Sequence, residues 1–228
     1  MRAMLLAAGC GTRLRPLTKT TPKCLVPIQG TPLLEIWLNR LTKASIGPFL
    51  INTHYLPEQV VNFIEGSPYR NQVTLVHEQT LMGTAGTLIN NLEYFEGEDG
   101  LLIHADNYCL ADFLLFVQAH QKRPPECVMT MMTFRTDTPS TCGIVELDER
   151  GVVIGFHEKV NNPPGNIANG AIYILSKEFI SKVKTDYSCA KDFSCDILPK
   201  NIGKINTYLT NAKFLDIGSV TSYNAANK

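Results

Sequence analysis

The chain has 228 residues, 44% of them apolar and 18% charged, with Lys+Arg and Asp+Glu both at 21. That length and balance suit one large globular α/β domain and exclude a disordered or fibrous chain. Zero formal net charge argues against a general nucleic-acid binder, which carries a basic excess.

The N-terminus, MRAMLLAAGCG, holds too short an apolar run for a signal peptide, and no stretch approaches a membrane-spanning length, so no membrane partner is expected. Cysteines at 10, 24, 109, 127, 142, 189 and 195 are scattered without a CxxC pair. They read as free thiols in a reducing, cytoplasmic setting, and with the dispersed histidines they offer no Cys/His metal site.

Residues 4–8 form a short apolar run, the pattern of a buried strand. Gly9 and Gly11 break it, and glycine at a strand end lets backbone N–H groups approach an anion. Thr12 adds a hydroxyl; Arg13, Arg15, Lys19 and Lys23 add four positive charges with no acid among them. Such a loop repels itself unless it holds an anion, and a polyphosphate is the natural candidate. A dinucleotide fingerprint fails here because Leu14 stands where a third small residue belongs, and the chain contains no GxxxxGK[ST] string.

Pro32 opens a helix with Leu33, Ile36, Trp37 and Leu41 on one face, ended by Gly47-Pro48. A strand at 49–52, a helix from Pro57 to Gly66 and a strand at 73–78 follow. Residues 79–88 are a glycine-rich turn entering a helix that ends near Phe95, and 101–108 read as one strand containing Asp106. Asp112 caps the next helix, 127–134 form a fifth strand, and 143–159 read as a hairpin bent at Gly151. After a loop at 161–165 come a strand at 171–176, helices at 177–184 and 192–201, strands at 205–210 and 213–219, and a closing helix. Strands alternating with amphipathic helices predict a Rossmann-like three-layer αβα fold with a mostly parallel central sheet.

The opening segment resembles the signature of the sugar-1-phosphate nucleotidylyltransferases, roughly G-x-G-T-R-L-x-P-x-T followed by P-K-x-L-x-P. Gly9, Gly11, Thr12, Arg13, Leu14, Pro16, Thr18, Pro22, Lys23, Leu25 and Pro27 match in register, as do Pro32 and Leu33 at the helix start. Phe214-Leu215-Asp216-Ile217-Gly218 matches F/W-x-D-x-G; Asp106 matches a Gly-Asp motif with Ala105 in place of the glycine, and Gly143, Glu158, Lys159 and Asn169 follow G…E-K…N-x-G, with Asn169-Gly170-Ala171 in the last position. The string Met82-Gly83-Thr84-Ala85-Gly86 is similar to that of members using GTP.

The resemblance implies a single domain over 1–228, with residues 1–135 binding the nucleotide. Residues 136–228 would bind the sugar and close the domain, the hairpin being a small β insertion on the sugar side of the cleft. It implies Arg13, Lys23, Asp106 and Asp216 as catalytic residues, the two aspartates also holding Mg²⁺. Ala7, Ala8, Gly9, Gly11, Thr12, Arg13, Gln79, Gly83, Thr84 and Asp106 would contact the nucleotide, and Gly143, Glu158, Lys159 and Asn169 the sugar phosphate. The expected substrates are a nucleoside triphosphate, favouring GTP, and mannose- or manno-heptose-1-phosphate, with a homo-oligomer left open. Dependence on UTP or dTTP, or a non-catalytic subunit sensing nucleotide sugars, are the alternatives.

Overall fold

The structure, a computed structural model, describes residues 1–228. In chain order it runs β1 (Arg2–Leu6), β2 (Pro27–Ile28), β3 (Thr31–Pro32), α1 (Leu33–Lys43), β4 (Phe49–Thr53), α2 (Pro57–Glu65) and β5 (Val73–His77). Next come α3 (Gly83–Asn90), β6 (Gly100–His104), β7 (Asn107–Cys109), α4 (Phe113–Gln121), β8 (Met129–Arg135), β9 (Gly143–Leu147) and β10 (Val153–Glu158). The remainder is β11 (Ile167–Leu175), α5 (Lys177–Asp186), β12 (Ile205–Leu209), β13 (Phe214–Asp216) and α6 (Val220–Ala226). The fold is α/β with a mixed, mostly parallel central sheet, as the alternation of strands and helices predicts. No helix is long and apolar enough to cross a membrane.

The chain divides into two compact units: Met1–Leu81, Ile103–Leu110 and Lys213–Lys228 in one, Met82–Leu102 and Ala111–Ala212 in the other. In the first, β1, β4 and β5 are parallel neighbours, with Leu6, Asn52 and Val76 side by side. The end of β6 lies on the other flank of β1. β4 is buried along its whole length, so its apolar run FLI packs on both faces as a central parallel strand does. Leu33, Leu34, Trp37, Leu38 and Leu41 of α1 are buried, each worth about 1.5–3 kcal/mol in removal from water, while Ile36 lies at the margin of that stripe. The Trp37 indole N–H is satisfied by the Asn107 carbonyl at 2.9 Å.

Several boundaries differ from the sequence reading, for local reasons. β1 ends at Leu6 rather than residue 8 because the Ala7 N–H goes to the Asn52 side chain instead of a ladder partner. The run 101–108 is two strands. Ala105 still donates to Leu6, but Asp106 accepts from Ile217, and from Asn107 onward the chain pairs antiparallel with β13. β13 is correspondingly short, stopping at Asp216.

In the second unit, β9 and β10 form the expected hairpin, β11 pairs with β8 and β9, and β12 runs parallel to β8. β11 begins at Ile167, four residues before the expected strand, because a bulge between Asn169 and Tyr173 carries it through the Asn-Gly-Ala segment. Residues 193–201 are not one regular α-helix but a π turn, Phe193–Ile197, followed by a 3₁₀ turn, Leu198–Asn201.

His120, on α4, is buried against Thr130 Oγ1 (2.9 Å at Nδ1) and Asp99 Oδ2 (3.4 Å at Nε2). Burial lowers the His120 pKa below 6.5, partly offset by the Asp99 carboxylate 3.4 Å away. That same contact, chiefly, holds the Asp99 carboxyl below 3.8 despite its partial burial. Both shifts carry one sign: the unfolded chain takes up protons that the fold refuses. The histidine contribution is complete above pH 6.5 and fades as pH falls toward the folded value, and the Asp99 contribution fades below 3.8. Urea-denaturation midpoints should therefore fall between about pH 7 and about pH 5, and His120→Gln should flatten that slope; an unchanged slope would remove His120 as its source.

Candidate functional site

The first unit gathers the charged residues of the opening loop at the carboxyl ends of its parallel strands. The chain leaves β1 at Leu6 and descends through short 3₁₀ turns at Thr12–Leu14, Leu17–Lys19 and Lys23–Leu25. Gly11 begins the first with φ +60, and its carbonyl accepts from the Leu14 N–H at 2.9 Å and the Thr18 hydroxyl at 2.7 Å. A methyl group on Gly11 would meet Thr18 Cγ2 at 2.9 Å and Lys23 Cβ at 3.1 Å, so this glycine is demanded by the fold. Gly9 is different: it is exposed, and a Cβ there would meet nothing within 4 Å.

Lys23 is drawn inward. Its side chain is only 8% exposed, and its ammonium sits 2.6 Å from Asp106 Oδ2 and 3.8 Å from Asp216 Oδ1. The aspartates keep 41% and 56% of their side-chain exposure, so the cation is sheltered while both acids also face outward. The antiparallel ribbon of β7 and β13 sets this spacing: Asp216 pairs with Asn107, one residue beyond Asp106. Enclosure works against ionisation of Asp106, but the charges of Lys23 and His104 and the Lys23 hydrogen bond outweigh it and hold the carboxyl below 3.8. Next to Lys23, burial pushes the Cys24 thiol up to about 12, leaving it inert.

Arg13 is exposed and reaches the same place. A methyl group on Gly218 would lie 2.9 Å from Arg13 Nη2 and 2.8 Å from Asp216 Oδ2, so the missing side chain lets guanidinium and carboxylate converge. Arg13, Lys23, Asp106 and Asp216 thus belong to one cluster, with Thr12 exposed beside Arg13. Ala8 is buried, Gln79 is exposed just past β5, and Ala7 has given its N–H to Asn52.

The second unit holds the other candidates, and many of their polar groups are committed locally. Gly83 has φ +77, and a side chain there would collide with the Lys191 carbonyl, which also accepts from the Ala85 N–H at 3.0 Å. The Thr84 hydroxyl accepts from the Phe193 N–H at 2.7 Å and lies 3.5 Å from Asp192. The start of α3 is therefore fastened to the 191–193 strap. Gly143 pairs with Glu158 across the hairpin and leaves room for that carboxylate, and Lys159 Nζ lies 2.9 Å from Glu158 Oε1. The Asn169 carbonyl oxygen accepts from the Ala171 N–H at 2.8 Å, and its amide donates to the Tyr173 hydroxyl at 2.7 Å. Asn169 is thus the brace of the β11 bulge.

Four partners escaped the sequence reading: Asn52 and Glu78 in the first unit, Tyr173 and Asp192 in the second. A polar residue at the end of an apolar strand run, Asn52 within β4 and Glu78 just past β5, was the available signal. Asp192 and Tyr173 left none, since contacts across more than a hundred residues set the former's role.

The chain belongs to the nucleotidyl transferase family, whose sequence profile matches residues 2–228. It is 28% identical over 95% of its length to a Mycobacterium tuberculosis protein named mannose-1-phosphate guanylyltransferase, covering 61% of that relative. A Synechocystis protein named UTP–glucose-1-phosphate uridylyltransferase is likewise 28% identical, over 98% of the chain and 61% of the relative. The chain spans about three fifths of the length of the curated relatives it matches. Among solved structures, HddC from Yersinia pseudotuberculosis is 28% identical with a TM-score of 0.83, covering 99% of this chain and 97% of its own; HddC complexed with GMP-PN matches at 0.82.

Gly83→Ala tests the strap. With a positive φ and a carbonyl in the way, it should cost about 1–3 kcal/mol of stability, read as a lowered melting temperature, whereas Gly9→Ala should leave melting unchanged. Equal melting of both variants would contradict these packing assignments.

Proposed function

We propose that the chain is a sugar-1-phosphate nucleotidylyltransferase, joining a nucleoside triphosphate to a sugar-1-phosphate with release of pyrophosphate. The observation that carries this reading is the gathering of Lys23, Asp106 and Asp216 at the carboxyl ends of parallel strands, beside a basic turn whose Gly9 faces open space. Both reactants are anionic, so in-line attack of the sugar phosphate on the α-phosphorus needs positioning and charge neutralisation more than covalent chemistry. Arg13, Thr12 and the Gly9–Gly11 backbone take the β- and γ-phosphates. Lys23 takes the α-phosphate and the incoming phosphate, exchanging its carboxylate partners for phosphate oxygens. No general base is needed, because a phosphate monoester is already an anion near neutral pH.

The donor set fits Mg²⁺: the Lys23 ammonium already stands as a cation between the two carboxylates, and Mg²⁺ is commonly held by one or two carboxylates plus substrate phosphates. Asp106 and Asp216 would hold the ion, which supplies charge neutralisation at the α-phosphate. Residues 1–135 serve the nucleotide, with Ala7, Ala8, Gln79, Gly83 and Thr84 around base and ribose. Residues 136–228 serve the sugar, with Gly143, Glu158, Lys159 and Asn169 in contact with it. Given the commitments of Asn169, Gly83 and Thr84, their contribution is mainly to shape backbone.

GTP and a manno-configured sugar phosphate are the favoured substrates, supported by the mannose-1-phosphate guanylyltransferase relative and by HddC complexed with GMP-PN. The uridylyltransferase relative keeps UTP as the second reading. Seven free cysteines fit a cytoplasmic setting.

Pyrophosphate release, crossing four nucleoside triphosphates with a panel of sugar-1-phosphates, tests the reading. Mg²⁺-dependent release with GTP and mannose- or manno-heptose-1-phosphate is expected; another active pair would correct only the substrate, and nucleotide binding without turnover would favour a silent sensor. Asp216→Asn and Lys23→Ala should each lower kcat by about 10²–10³-fold. Full turnover in either variant would remove that residue from the mechanism.

A further inference from the structure

We infer that Asn52 is a positioning residue for the nucleotide turn: it fixes the backbone where β1 passes into Ala7–Gly9, and Glu78 fixes its orientation. This inference rests on the reading of that turn as the nucleotide site. Leu6, Asn52 and Val76 share one row of the parallel sheet, so Ala7, Asn52 and Glu78 lie together at the carboxyl ends of three neighbouring strands. Ligands bind at such edges in open α/β sheets.

Asn52 Oδ1 accepts from the Ala7 N–H at 2.7 Å, and Asn52 Nδ2 donates to Glu78 Oε1 at 2.7 Å. Glu78 is in turn held through its backbone: its N–H donates to the Thr53 carbonyl at 2.8 Å, and its carbonyl lies 2.7 Å from His54 Nδ1. Asn52 and Glu78 are each 3% exposed. A buried polar relay ending in a carboxyl group is an expensive way to stabilise a sheet edge, where apolar side chains of similar size serve as well or better.

What the relay supplies is direction. An amide presents an acceptor on one side and donors on the other; the Ala7 N–H can only donate, and Glu78 Oε1 takes the amide donor. Glu78 therefore keeps the Asn52 oxygen turned toward Ala7. That contact ends the β1 ladder and sets the peptide plane from which Ala8 and Gly9 continue. Gln79, the residue after Glu78, starts from the same anchored point. The relay thus ties together the two backbone segments assigned to the nucleotide, and misplacing either loosens binding without touching the charged cluster.

The test uses the intact chain, with GTP and the active sugar phosphate, reading KM for each substrate, GTP affinity by calorimetry, and melting temperature. Asn52→Leu keeps the branched outline and removes the relay; it should raise KM and Kd for GTP about tenfold and leave KM for the sugar phosphate within about twofold, while the stranded Ala7 N–H and Glu78 carboxyl lower the melting temperature. Asn52→Asp sets a second carboxylate against Glu78 and should weaken GTP binding likewise. Adding Glu78→Gln lets the new carboxylate accept from both Ala7 and the glutamine amide, so the double variant should return to within about threefold of Glu78→Gln alone. Unchanged GTP parameters in Asn52→Leu, a loss shared equally by both substrates, or no rescue in the pair would overturn the inference. Should Asn52→Leu fail to fold, the rescue pair decides. A wild-type chain that bound no nucleoside triphosphate would overturn the functional reading, and the inference with it.

Discussion

A sheltered ammonium between two carboxylates is the constraint around which the first unit is built. Lys23 loses most of its hydration, a cost of several kcal/mol that only close, well-aligned partners offset. The carboxylates come from segments more than a hundred residues apart in sequence, joined by the short ribbon of β7 and β13. Gly11 must take a left-handed turn so that Thr18 and the Lys23 stem can pack against its bare Cα. Trp37 reaches across to the carbonyl of Asn107, the residue beside Asp106, and so ties the core helix to the ribbon. Charge pairing, loop geometry and core packing therefore form together, and the 2.6 Å contact to Asp106 carries more of the pairing than the 3.8 Å approach of Asp216.

This arrangement bears on the proposed chemistry. An ammonium already dehydrated and aimed needs no further ordering when a phosphate replaces a carboxylate as its partner. The cost of preparing it is met in folding rather than in each encounter with substrate. Arg13 is the contrasting case: its exposed guanidinium keeps its hydration in the folded chain, so in the proposed chemistry it would be ordered only on meeting substrate.

The charged cluster was legible in the sequence because its members lie in short local motifs, and the apolar strand-helix alternation was legible because periodicity is local too. What stayed hidden was set by partners distant in the chain. The run 101–108 is uniformly strand-like, yet it breaks at Asp106 because β13, far downstream, captures Asn107, Tyr108 and Cys109. Thr84 and Asn169 have the composition of ligand contacts, but Asp192, Phe193 and Tyr173 claim their polar groups. Each compact unit is discontinuous in sequence, so Asp216, near the C-terminus, belongs with a loop that begins at residue 9.

The glycines show how such cases can be separated. Gly11 and Gly83 have positive φ and crowded surroundings, so the fold alone explains them. Gly143 and Gly218 have ordinary backbones, but each yields its side-chain space to a carboxylate, which makes them servants of Glu158 and Asp216. Gly9 has neither reason: its φ is not left-handed, and no protein atom lies within 4 Å of where a Cβ would stand. Neither backbone strain nor packing asks for glycine there, so the main chain of the turn stands open to solvent at that point, as it does at Gly165 in the exposed loop before β11. Gly9 belongs to the basic opening turn, and it is on that turn that the proposed function seats its anionic substrate.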